Sequence, residues 1–111
     1  MDFDEYQKRA SATATFGGKQ KEHQLMYVTL GIAGEAGEIA EKIKKVMRND
    51  DGVVSDDKRE DLKKEIGDVL WYLSQLSRIL DIPFSEVAET NLAKLADRAV
   101  RGVIKSSGDD R

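Results

Sequence analysis

The sequence predicts an all-α protein, a bundle of four helices, and three observations carry that prediction. Apolar residues recur at intervals of three and four over long stretches, which is the spacing of one helix face. Alternation of apolar and polar residues over a strand's length is missing, and Val53-Val54 is too short to count. The chain's single proline, Pro83, and most of its glycines fall where the apolar period breaks.

Each element follows from local signals. The first helix runs from Asp2 to Thr15 and is closed by Gly17-Gly18. The second and longest runs from Glu22 to Arg48 and ends in the turn-forming Asn49-Asp50-Asp51-Gly52. The third opens at Asp56-Asp57, where acids meet the positive end of the helix dipole, and continues to Leu80. The fourth opens at Asp81-Ile82-Pro83, with Asp81 as its cap and proline near the first turn, and stops before Gly102. Residues 1–102 therefore read as one domain and residues 103–111 as a short tail expected to be mobile.

Composition narrows the chemistry. With 111 residues, 40% hydrophobic and 35% charged, the chain suits one core. It contains no cysteine, which excludes disulfides, zinc–thiolate knuckles and thiol nucleophiles, and only one histidine, His23. A metal would have to be held by oxygen, which favours Mg²⁺, with Mn²⁺ as substitute. Eighteen Lys and Arg against 21 Asp and Glu give a net charge of −3, so no nucleic-acid partner is expected. No apolar run approaches the roughly 20 residues of a membrane span, so no membrane partner is expected either. The acidic start Met1-Asp2-Phe3-Asp4-Glu5 is unlike a signal peptide, and the expected location is cytoplasmic.

The most informative feature is a matched pair of acidic motifs. Helix two carries Gly34-Glu35-Ala36-Gly37-Glu38, and helix three carries Glu65-Ile66-Gly67-Asp68. Each places two carboxylates at i and i+3, neighbours on a helix surface. At about 100° per residue, Glu35 and Glu38 lie roughly 80° and 140° from the centre of the stripe Ile32, Ala36, Ile39, Ile43 and Val46. Glu65 and Asp68 lie roughly 70° and 130° from the centre of the stripe Leu62, Ile66, Val69, Leu70, Leu73 and Ser77, in the same rotational sense. If the two helices form an antiparallel hairpin, the four carboxylates converge. Gathered carboxylates repel and raise one another's pKa, so they call for a cation, and Mg²⁺ with oxygen ligands fits. Gly34, Gly37 and Gly67 each cost up to about 1 kcal/mol against alanine inside a helix, which close approach of another backbone or a ligand would explain. The alternative is that these acids are solvated helix faces, as single Glu and Asp pairs usually are.

On these residues the chain resembles the MazG-like nucleotide pyrophosphohydrolases of the all-α NTP pyrophosphatase superfamily. Their pattern, E-x-x-E on one helix and E-x-x-D on the next, matches Glu35/Glu38 and Glu65/Asp68, and the likeness runs from Tyr6-Gln7 through helix four into the tail. The resemblance implies a four-helix MazG-like bundle that hydrolyses a nucleoside triphosphate substrate, (d)NTP, to (d)NMP and pyrophosphate with Mg²⁺, as in nucleotide-pool sanitation. It implies Glu35, Glu38, Glu65 and Asp68 as metal ligands, with Glu35 or Glu38 also acting on the attacking water. It implies Tyr72, Asn91, Lys94 and Arg98 as substrate-binding residues, the last three sharing a face of helix four. Their alternative is a solvated face.

Weaker candidates complete the list. Trp71 falls on the side of helix three away from the acids and reads as a packing or interface residue. His23, Lys19 and Lys21 could reach phosphate but are more commonly just exposed, and Ser107-Gly108-Asp109-Asp110-Arg111 resembles an ending found in a subgroup of these proteins, with two readings: it folds over the site, or it is a frayed terminus. Four helices in so short a chain leave apolar faces exposed, so a homo-oligomer is expected, with a dimer as the unit or a tetramer. Two other functions fit the same residues: a dUTP/dUDP or guanosine tetraphosphate, (p)ppGpp, hydrolase of the same fold, and a non-catalytic helical oligomerisation or regulatory module.

Overall fold

In the computed structural model, which describes residues 1–15 and 20–102, the chain forms α1 (Phe3–Ser11), α2 (Lys21–Asn49), α3 (Asp56–Ile79) and α4 (Phe84–Arg101), with no strand among those residues. The all-α, four-helix expectation is met, and α2 and α3 begin and end within one residue of their expected bounds. Lys19 and the tail of residues 103–111 lie outside the described residues.

α2 and α3 pair antiparallel along most of their length. Tyr27 and Gly31 meet Tyr72, Glu35 meets Glu65 and Asp68, and Lys42 meets Glu65 and Asp61, so partners descend α3 as α2 ascends. The pair is seated by Val28 and Val46, buried near the two ends of α2. The hairpin turn is a left-handed pair, Asp51 and Gly52, after which Gly52 N–H returns to the Val46 carbonyl.

α1 and α4 gather at the far end of α3, and neither packs on α2. Two expectations are corrected here. α1 stops at Ser11 rather than Thr15: the Ala10 carbonyl, which Ala14 N–H would need in a further α-turn, is taken by Thr13 N–H, the Thr13 hydroxyl and the Trp71 indole N–H, and Ala14 N–H turns to the Ser11 carbonyl instead. Asp81 does not cap α4. It adopts a positive φ of 58° and closes α3, with Asp81 N–H on the Arg78 carbonyl and Ile82 N–H on the Ser77 carbonyl. The α4 N-terminus begins at Pro83 and is capped by α1: Asp4 Oδ1 accepts from Ser85 N–H at 2.8 Å and Gln7 Oε1 from Phe84 N–H at 3.2 Å. The Ser85 bonds hold the Asp4 carboxyl below the usual carboxylate range.

Gln7 is the knot of this end. Its amide also donates to the carbonyls of Ser74 and Ile82, each at 3.1 Å, so one side chain ties α1 to α3, the turn and α4. The buried residues of α3 are Ser74, Gln75, Ser77 and Ile79; of the expected stripe Ser77 is buried, Leu62, Val69 and Leu70 are half-buried, and Ile66 and Leu73 stay exposed. Those buried polar groups are bonded: Ser74 to the Trp71 carbonyl, Ser77 to the Ile82 carbonyl and Gln75 to Arg78.

The fold is open. Its radius of gyration is 16.8 Å, against about 13 Å for a compact domain of this length. Among the described residues only Val28, Val46, Ile79 and Phe84 form a fully buried apolar core, while Ile66, Leu73 and Leu80 run as an exposed row along α3.

Gly31 explains itself in this packing, because the ring of Tyr72 lies where a side chain at position 31 would begin. Gly31→Ala should destabilise the protein by about 1–3 kcal/mol through overpacking. In a Tyr72→Ala background the same change should become neutral or stabilising, since alanine is the better helix former by up to about 1 kcal/mol. Chemical denaturation of the four proteins of that cycle measures it, and equal cost in both backgrounds would contradict the packing account.

Candidate active site

The antiparallel register carries Glu35 of α2 opposite Glu65 and Asp68 of α3. One carboxylate oxygen from each of these three lies within 4.8 Å of the others. Glu38, one turn further along α2, is exposed and stands outside that group, consistent with its position farther round the helix. Three of the four acids singled out by the motifs are thus brought together.

Their electrostatics are those of crowded like charges. The Glu35 carboxyl is held above the usual carboxylate range, first by loss of solvent, then by a hydrogen bond with Glu65, and then by the charges of Asp68, Glu65 and Glu38. On the other flank the Lys42 ammonium sits 3.3 Å from Glu65 Oε1 and 4.0 Å from Asp61 Oδ2. Glu65, chiefly through its hydrogen bond, raises the Lys42 pKa. Neither Lys42 nor Asp61 drew attention in the sequence. The signal was their spacing: Lys42 is four residues past Glu38, and Asp61 is four before Glu65.

The donor set fits a hard divalent cation. It is all oxygen, it comes from two helices fixed by the same packing, and an ion among the three carboxylates would relieve their repulsion. The cluster is also approachable. Among the described residues nothing lies within 4 Å of the positions where side chains at Gly34, Gly37 and Gly67 would begin, so no described backbone explains those glycines.

A family model described as the MazG nucleotide pyrophosphohydrolase domain matches residues 21–102, the segment from α2 through α4 that holds every acid just described. The chain belongs to the MazG nucleotide pyrophosphohydrolase family. It is also similar over its whole length to the Gene 37 protein of Mycobacterium phage L5, at 49% identity over 114 residues covering all of both chains. No solved structure matches.

Within this MazG domain the aromatic residues divide between site and scaffold. Tyr72 stands beside the acids: burial, a hydrogen bond with Tyr27, and the charges of Glu35 and Asp68 all raise its pKa. Its ring lies 6.2 Å from that of Tyr27. Tyr6, on α1, also feels Asp68 through space, with burial the larger cause of its raised pKa. Sequence reasoning singled out Tyr72 and missed Tyr6 and Tyr27, which lie on other helices. Trp71 is scaffold, its indole bonded to α1 through Ala10 and Thr13.

The helix-four residues are placed elsewhere. Asn91 and Lys94 line an open groove of about 360 Å³ with Ile82, Glu86, Val87 and Thr90, while Arg98 is buried. Because α4 does not pack on α2, one copy of the chain does not bring this groove against Glu35. His23 and Lys21 sit exposed in the first turn of α2.

The repulsion has a testable consequence in metal-free protein. Glu35 binds its proton more tightly folded than unfolded, so its contribution to stability is present at low pH and is lost as pH rises from about 4.5 through its raised value. Glu35→Gln should abolish that loss and be the more thermostable protein at neutral pH. Thermal unfolding in chelator, from about pH 4 to about pH 8, measures it. A variant no more stable than the parent at neutral pH would contradict the account.

Proposed function

We propose that this MazG-family chain is a Mg²⁺-dependent nucleoside triphosphate pyrophosphohydrolase, cleaving a (d)NTP to the monophosphate and pyrophosphate. The observation that carries the reading is the meeting of Glu35, Glu65 and Asp68 oxygens within 4.8 Å, on a face left open by three glycines.

When bound, a divalent ion would neutralise phosphate oxygens and make the attacking water more acidic. Glu65 and Asp68 would hold it from α3 and Glu35 from α2. One of the two α2 glutamates, Glu35 or Glu38, would also orient the attacking water or take its proton. Glu38, exposed at the rim, would add a ligand oxygen as substrate settles. Tyr72, which feels the charges of Glu35 and Asp68, and Tyr6, which feels that of Asp68, would offer aromatic faces and hydroxyls for the sugar or base.

Asn91 and Lys94 would meet the outer phosphates. Since α4 stands away from α2 within one chain, a second copy of this protein would supply the missing wall. That homo-oligomer is supported by the exposed row Ile66, Leu73 and Leu80 on α3 and by exposed Met26 and Leu30 on α2, which no described residue covers.

Pyrophosphate release from a panel of nucleoside triphosphates, with Mg²⁺ or with chelator, tests the chemistry. Turnover should require the metal, and Glu65→Gln or Asp68→Asn should lower it about 10²-fold or more with helix content unchanged. Retained turnover in both variants, or release of orthophosphate alone, would sink the reading. Light scattering at micromolar concentration should give a dimer or tetramer, and a monomer would remove the support for the shared site.

A further inference from the structure

Lys42 is a charge that a divalent ion would have to contend with. It lies seven residues past Glu35 and four past Glu38, on the same flank of α2, and the antiparallel register delivers it to α3. Arg9–Glu5, Lys44–Glu41 and Lys63–Glu60 join exposed residues one turn apart on a single helix. The Lys42 pairs, in contrast, cross between helices, and Glu65 is well covered, with its side chain 15% exposed. One oxygen of Glu65 is therefore engaged by the ammonium while the same carboxylate belongs to the three-oxygen cluster.

We propose that Lys42 is a resident counter-ion that sets the metal affinity of the site: it neutralises Glu65 and Asp61 in the metal-free protein and holds binding of a lone divalent ion weak. This rests on the reading that Glu35, Glu65 and Asp68 hold the ion. Two effects oppose each other when the ammonium is removed. Glu65 loses a partner that orients it, which weakens binding. The ion loses a like charge a few ångströms away, which strengthens it. The second effect is the larger, because a divalent ion doubles the Coulomb energy in this half-covered site, while α2–α3 packing still holds the Glu65 backbone in place. The triphosphate's negative charge would offset Lys42 as well as the metal, so metal and nucleotide bind cooperatively. The ammonium thus couples the ion to its substrate and disfavours a metal-loaded site with no nucleotide.

The test is binding of Mn²⁺ alone, followed by the electron paramagnetic resonance of the free ion, with thermal unfolding in chelator as a second readout. Lys42→Met should bind Mn²⁺ about ten-fold more tightly than the parent. In chelator at low ionic strength it should melt at a lower temperature, since the carboxylates lose their counter-ion. Lys42→Gln should behave like Lys42→Met, which keeps the test intact if one variant misfolds, and Lys42→Arg should keep the parent's affinity. Parent binding that is abolished by Asp68→Asn but unchanged or weakened in Lys42→Met and Lys42→Gln would overturn the role of Lys42 and leave the metal site standing. No Mn²⁺ binding by parent or variants would overturn both.

Discussion

Antiparallel packing of α2 on α3 forces Glu35, Glu65 and Asp68 to share a space in which three ionised carboxylates repel one another. The helices stay together because apolar contacts bracket the charge. Val46 is buried on one side of it, and Val28 with the Gly31–Tyr72 contact lies on the other. The repulsion is met locally in two ways: Glu35 holds its proton more firmly, and Lys42 reaches across to Glu65. A solvated acidic face would need neither.

The far end of the molecule follows different rules. Where α1, α3 and α4 meet, small serines and a buried glutamine let the elements approach, and hydrogen bonds rather than apolar volume fix their positions. Gln7 sits at the centre, and Asp4 and Gln7 cap α4 from another helix. Phe3 and Tyr6 pack on Phe84, with ring centroids 5.2 and 6.4 Å apart. By holding α1 against α3, this knot places Tyr6 near Asp68, so a scaffold distant in sequence contributes to the rim of the site.

How much of this was legible in the sequence follows from the range of the forces involved. The helical period and the turn at Asn49–Gly52 are local, and the bounds of α2 and α3 were read to within one residue. The pairing of E-x-x-E with E-x-x-D was legible too, because i, i+3 spacing and rotational offset are properties of one helix at a time. What escaped were contacts between elements. Asp81 carries the residue type of a helix cap, yet its backbone is spent on closing α3, since left-handed geometry is open to Asp and the cap for α4 comes from α1. α1 was drawn too long because the competition of Trp71 and Thr13 for one carbonyl has no local trace. Lys42, four residues from an acid as dozens of surface lysines are, becomes distinctive only when Asp61 and Glu65 appear opposite it.

The glycines sharpen the distinction between structure and function. Gly31 and the three motif glycines look alike in sequence, each a weak helix former inside a helix. Gly31 is accounted for by the ring of Tyr72. Gly34, Gly37 and Gly67 are not accounted for by any described residue, because none comes within 4 Å of the space before each. Alanine there would fit, and would strengthen each helix by up to about 1 kcal/mol. Helices that forgo this stability only beside the gathered carboxylates leave a smooth, unobstructed approach to them. No described residue supplies the requirement, and a phosphate-bearing substrate closing on the ion, or a second copy bringing its α4 groove to meet it, would make use of the cleared surface.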